Sequence, residues 1–285
     1  MIIQMTKTRN EAFLIKEMLP IWQKYADGFI FISNGSTDDT VEYLSRPDVK
    51  EKYNIIEVLE TNKNVDMQEY ETNGRQKLFN AAIKYSSKII CMDTDEYLDG
   101  NITKKQLEDA LDLHQDTALM CQWMQYTSKD KRRVDSFWRT VFHDRIGNFK
   151  EGALFNKACS HSSHIPTVTK SLKVDAKHLF IAHIQWLDKR WVGIKQYYWK
   201  VWDYVNKKEH NINTINVGAY DVSVNNFKWV YEQIDTPLKI REDIFSTQDV
   251  KENYKLQYIV EQTKKYNIPN LGDWGMGIYD YCLKA

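Results

Sequence analysis

A chain of 285 residues with 42% hydrophobic and 27% charged residues can bury a full core, and its 11 Gly and 5 Pro exclude long disordered or low-complexity stretches. Lys+Arg and Asp+Glu both number 39, so the formal net charge is zero and no whole-molecule field recommends nucleic acid or an anionic membrane as partner. Cys91, Cys121, Cys159 and Cys282 are scattered without a CxxC pair, which argues against a zinc site or a disulfide framework and for reduced, buried thiols.

The N-terminus has no basic segment followed by an apolar run, because Met5 passes directly into Thr6, Lys7, Thr8, Arg9 and Asn10. Apolar runs elsewhere fall short of the roughly 20 residues of a spanning helix, so the expected location is cytoplasmic, at most peripheral to a membrane. Ile2, Ile3 and Met5 predict a short strand, and residues 11–25 space Phe13, Leu14, Met18, Leu19, Ile21 and Trp22 as a helix. Residues 28–33 are rich in aromatic and β-branched side chains, as a buried parallel strand is. The turn Asn34-Gly35-Ser36-Thr37-Asp38-Asp39 then offers capping side chains to a helix over 40–44. A strand over 54–59, a helix over 74–85 and a strand over 88–92 continue the alternation, which predicts a mostly parallel α/β sheet with helices on both faces. Beyond residue 100 the pattern is mixed: a helix near 104–113, a strand over 118–126, a basic stretch 129–133 that opens a loop, and helices over 188–206 and 250–266.

In such sheets ligands bind beyond the carboxyl ends of the strands. Asn34-Gly35 and the cluster Asp93-Thr94-Asp95-Glu96 both lie at such ends, which places two polar loops on one rim. Two carboxylates at i and i+2 on a tight turn can converge on one divalent cation and on ribose hydroxyls, and Mg²⁺ or Mn²⁺ prefers oxygen ligands and bridges nucleotide phosphates. By itself such a tripeptide equally suits a solvated loop or a calcium site.

Three segments in order, Thr6-Lys7-Thr8-Arg9-Asn10-Glu11, Ser33-Asn34-Gly35-Ser36-Thr37-Asp38-Asp39-Thr40 and Met92-Asp93-Thr94-Asp95-Glu96-Tyr97-Leu98, resemble the successive signatures of family 2 glycosyltransferases. The likeness is nearest to the branch with a DxDE-aromatic motif, covers residues 1–100, and is loose thereafter. It implies a GT-A fold in three parts: a nucleotide-sugar-binding half over 1–100, an acceptor-binding half over 101–208 and a helical C-terminal extension over 209–285. It also implies a metal-dependent, hexosyltransferase-like enzyme that uses Mn²⁺ or Mg²⁺. Its partners would be a nucleotide-sugar donor, UDP favoured, and a carbohydrate or other hydroxyl acceptor, with inversion.

Residue by residue, the resemblance implies that Thr8 and Asn10 border the base, with Asn34 standing where the family usually has Asp, which leaves base identity open. Asp93 would face ribose and metal, Asp95 would be the principal metal ligand, and Glu96 would orient it. Arg75 and Gln76 sit where relatives contact the base or diphosphate, against the alternative of a solvated helix start. In Phe180-Ile181-Ala182-His183-Ile184-Gln185-Trp186, His183 matches a C-terminal metal-ligating histidine, with His161, His164 and His178 as rivals and a hydrogen-bonded core histidine as the plain alternative. Lys195, with Lys189 and Arg190, could neutralise a departing diphosphate or form a charged helix face. An inverting transfer needs a carboxylate base; Phe142-His143-Asp144-Arg145 onward resembles the acceptor-side region but lacks its His-Glu pair, leaving Glu151 first and Asp144 second as candidates. Trp123, Tyr126, Trp138 and Trp186 are the aromatic candidates for sugar stacking. The competing functions are a sugar nucleotidyltransferase, disfavoured by the absence of glycine from residues 6–11, and an inactive GT-A-like scaffold, disfavoured by the two aspartates.

Overall fold

The structure, a computed structural model, describes residues 1–61, 72–156, 163–210, 230–250, 253–272 and 277–284. It divides into two compact units, Met1–Met124 with Ser136–His183, and Gln125–Asp135 with Ile184–Ala285. Strands from residues 96–183 join the sheet built by the N-terminal residues.

That sheet begins with β1 (Ile3–Thr8), α1 (Ala12–Trp22), β2 (Gly28–Asn34), α2 (Thr40–Ser45), α3 (Pro47–Tyr53), β3 (Ile55–Thr61), α4 (Gly74–Ala82) and β4 (Lys88–Asp93). The four strands are parallel in the order β3-β2-β1-β4. Both faces are covered, which explains the continuous apolar runs. Ile30, Ile32, Ile89 and Cys91 pack with Leu78, Phe79 and Ala82 of α4 on one side. On the other, Ile90 and Met92 pack with Tyr25, Leu107 and Leu111, and Trp22 of α1 meets the rings of Phe29 and Phe31.

The chain then changes character. β5 (Glu96–Asp99) leaves the turn after β4, and α5 (Lys104–Leu113) follows behind a capping box made by Thr103 and Gln106. Next come β6 (Thr117–Ser128), β7 (Lys131–Arg133), β8 (Phe142–Asn148), β9 (Lys170–Lys173) and β10 (Phe180–His183). β8 lies antiparallel between β4 and β6, and β10 runs antiparallel to β5. The sheet is therefore parallel in its first half and mixed in its second.

The second unit holds the end of β6, β7, α6 (Lys189–His210), β11 (Tyr231–Gln233), α7 (Tyr254–Tyr266) and α8 (Ile278–Lys284). The basic stretch expected to open a loop is instead strand β7, paired with β6 and β11, because Arg132 and Arg133 find carboxylate partners in Glu232 and Asp135. Tyr126 and Trp186, expected to stack on sugars, are fully buried in this unit, the first hydrogen-bonded to the Thr236 carbonyl and the second beneath the Arg133 guanidinium. Cys91, Cys121 and Cys282 are buried, and Cys159 lies outside the described residues. No described helix is long and apolar enough to cross a membrane.

Gly100 follows β5 at φ 151°, and a Cβ there would stand 2.1 Å from the His178 carbonyl oxygen and 2.9 Å from Leu179 Cα. This close passage of two backbones sets where β10 lies along β5. Gly100→Ala is expected to destabilise the protein by about 3 kcal/mol, the upper part of the usual range for one substitution, measured as a lower urea midpoint. An unchanged midpoint would show that the two segments separate without cost.

Candidate active site

In a sheet ordered β3-β2-β1-β4, successive connections leave β1 in opposite directions, so a crevice opens at the carboxyl ends of β1 and β4. Lys7 of β1 pairs there with Asp93 of β4. The loops beyond β1 and β2 are laced together. The Asn10 amide nitrogen donates to Thr37 Oγ1 at 3.0 Å while its oxygen accepts from the Thr37 N–H at 2.7 Å, and the Asn10 N–H donates to Ser36 Oγ. Asn10 sits at φ 53°, a left-handed backbone that asparagine tolerates better than most residues. Thr8 donates to Glu11 Oε2 at 3.3 Å, and buried Asn34 accepts from Thr61 Oγ1 at 2.8 Å. Thr8, Asn10 and Asn34 thus stand at the carboxyl ends of β1 and β2, with these side-chain groups engaged in shaping the two loops.

The turn Asp93-Thr94-Asp95-Glu96 joins β4 to β5, and β5 brings the far end of the unit to it. Glu96 pairs across the antiparallel ladder with His183, the last residue of β10. Residues directly opposite on such a ladder project to the same face, and His183 Nε2 lies 3.3 Å from Asp95 Oδ2, 88 residues away in sequence. Of the rival histidines, His164 places Nε2 2.9 Å from Asp93 Oδ2, His178 is exposed beside Asn101, and His161 lies outside the described residues.

Glu96 is 1% exposed at its side chain and Arg145 4%. Arg145 reaches Glu96 with two parallel bonds, Nε to Oε2 and Nη2 to Oε1, both 2.9 Å. The Trp123 indole donates to Oε1 at 2.8 Å, and the Asp93 N–H to Oε2 at 3.3 Å. The motif's glutamate is therefore an anchor under the turn. Trp123 also stacks on His183, centroids 4.4 Å apart and planes at 22°, and meets His143 edge-on at 4.5 Å. Such ring pairs contribute about 0.5–1.5 kcal/mol beyond their area burial.

Arg75, in the first turn of α4, is buried with Nη2 3.4 Å from Asp93 Oδ1. Burial alone would raise the Asp93 carboxyl, but His164 and the Arg75 and Arg145 guanidiniums hold it well below the usual carboxylate range. His164 is pushed well down by burial and by the same two guanidiniums, with the Asp93 carboxylate opposing them. His143 is pushed down to about 3, by burial first and then by Arg145 and His183.

The other expected residues are placed differently. Gln76 binds the Ala153 carbonyl and the Phe155 N–H and so pins the 153–155 segment. On β8, His143 faces Trp123 and Arg145 faces Glu96, whereas Asp144 between them takes the other side of the strand, where Ser171 hydrogen-bonds it and burial raises its carboxyl. Glu151 is exposed in the turn before Gly152. Lys195 is half-buried on α6 of the second unit, and Arg190 pairs with Asp188. Arg145 and His143 are not among the expected site residues; the two-residue alternation of strand 142–148 is the signal that places them on one face.

Among the described residues no group of three or more His, Cys, Asp or Glu side chains is arranged to hold a metal ion. What is present is a carboxylate oxygen of Asp95 and an imidazole nitrogen of His183 converging at the turn, a hard oxygen and nitrogen pair compatible with Mn²⁺ or Mg²⁺ when phosphate oxygens and water complete the shell.

Two outcomes follow from this electrostatic arrangement. Arg145→Met would leave the Glu96 carboxylate buried without its cation and is expected to cost about 3–5 kcal/mol in urea unfolding. His143 titrates at 6.5 when unfolded and at about 3 when folded, so below pH 6.5 the unfolded chain takes up the proton first and stability falls as pH falls towards 3. His143→Gln is expected to flatten that limb of a plot of urea midpoint against pH; an unaltered slope would mean that the ring is hydrated.

No protein-family model matches the chain, and no curated protein matches it. Among solved structures it is similar to the mannosyltransferase PcManGT from Pyrobaculum calidifontis in complex with GDP-Man and Mn²⁺, at 11% identity and a TM-score of 0.40. The match spans 99% of this chain and 79% of that one, a likeness too distant to bear on donor, acceptor or metal.

Proposed function

We propose that the chain is a GT-A-type glycosyltransferase that moves a sugar from a nucleoside diphosphate, UDP favoured, to a hydroxyl acceptor with inversion. The observation that carries this reading is the meeting of Asp93, Asp95 and His183 at the carboxyl ends of β1 and β4, where sheets of this order bind nucleotides. Asp95 and His183 would hold Mn²⁺ or Mg²⁺, which when bound supplies positive charge against the leaving diphosphate. Asp93, kept ionised, offers its carboxylate to ribose hydroxyls, and Arg75 behind it adds a fixed cation on the diphosphate side. Thr8, Asn10 and Asn34 line the base side of the rim.

In the transfer, a carboxylate takes the acceptor hydroxyl's proton as that oxygen attacks the anomeric carbon, and the bond to the diphosphate breaks on the opposite face. Glu151 is the first candidate for that base because its carboxylate is exposed and able to meet an acceptor; Asp144, half-buried against Ser171, is the second.

Calorimetry with UDP-, GDP- and CDP-sugars, with and without Mn²⁺, tests the reading on the wild type and on Asp95→Ala. Mn²⁺-dependent binding of the UDP-sugars is expected, weakened in the variant at least about 100-fold, or about 2.7 kcal/mol. Silence across the panel in the wild type would remove the transferase reading.

A further inference from the structure

Strand pairing with Glu96 fixes the backbone of His183, but not its ring. The terminal torsion of histidine is broad and roughly two-fold, so the imidazole can turn about it and carry Nε2 away from Asp95 unless something holds its plane. Trp123 occupies the position from which this can be done. Its indole face lies along the imidazole at 4.4 Å and 22°, so rotation of the His183 ring would drive its edge into the indole. The indole is not itself loose. Its N–H is tied to Glu96 Oε1 at 2.8 Å, that carboxylate is clamped by Arg145, and His143 and Trp138 brace the indole, with ring centroids at 4.5 and 5.7 Å.

We propose that Trp123 is a positioning residue: tethered to Glu96 and stacked on His183, it fixes the plane of the imidazole and keeps Nε2 directed at Asp95. The consequence for cation affinity rests on the function proposed above, whereas the placement of the ring does not. A preset imidazole loses less freedom on binding a cation than a turning one, and residues that orient a metal ligand typically change affinity about 10–100-fold when removed.

The test uses the full chain with Trp123→Leu, which removes ring and N–H, and Trp123→Phe, which keeps a smaller ring face and removes the tether to Glu96. Side-chain ¹⁵N NMR of the metal-free protein, with His183 assigned by its disappearance in His183→Gln, should show a single tautomer in the wild type. Averaged tautomers are expected in Trp123→Leu and partial averaging in Trp123→Phe. Mn²⁺ affinity in the presence of UDP, followed by the EPR signal of free Mn²⁺, should fall about 10–100-fold in Trp123→Leu and less in Trp123→Phe. Variants that lower the unfolding midpoint yet leave both the tautomer and the Mn²⁺ affinity as in the wild type would overturn the proposal and make Trp123 a packing residue. If Trp123→Leu does not fold, Trp123→Phe decides by the same two readouts. If Asp95→Ala leaves Mn²⁺ affinity intact, the cation reading of Asp95 and His183 fails, and the tautomer of His183 still decides the role of Trp123.

Discussion

A carboxylate that is almost wholly removed from water has to be matched by charge and by donors, and Glu96 is matched by four. Two come from Arg145, one from the Trp123 indole and one from the Asp93 backbone. Those donors belong to β8, β6 and β4, so one buried charge ties together three strands and the turn that carries Asp93 and Asp95. Moving the turn away from the group below it would strand a buried charge.

The same anchor accounts for the electrostatics above it. Arg145 neutralises Glu96 and, with Arg75, still has field to spare for its neighbours: it helps hold Asp93 ionised and pushes His143 and His164 towards the neutral form. A neutral imidazole can accept a hydrogen bond or serve as a ligand. Asp93, already met by His164 and Arg75, and Asp95, near His183, are thus chemically distinct although only one residue separates them.

The architecture explains why the anchor can reach both halves of the first unit. The parallel half supplies the crevice and two loops cross-linked through Asn10, Ser36 and Thr37. The antiparallel half supplies β8 and β10, whose registers deliver Arg145 and His183 to the turn. Close backbone passage at Gly100 keeps β10 where that register requires it.

Local pattern was sufficient for much of this. The apolar runs at 28–33 and 88–92, the helical spacing in 11–25 and 104–113, and the polar turns after the strands were all legible in the chain, because each is decided by side chains a few residues apart. So was the pairing of Asp93 and Asp95 on one turn. What the chain does not spell out is which distant residue meets that turn. The basic stretch that forms strand β7 reads as a loop because Arg132 meets Glu232 only when β11 arrives, and Tyr126 and Trp186 read as sugar platforms although the fold buries both. Likewise His164 against Asp93, Arg145 under Glu96 and Trp123 on His183 are contacts across 71, 49 and 60 residues, created by strand register and not by spacing. Sequence determined the elements and the acidic turn, since those follow from local propensity and periodicity. Tertiary structure alone decided the partners of each carboxylate, since a buried charge is satisfied by whatever the fold brings within reach.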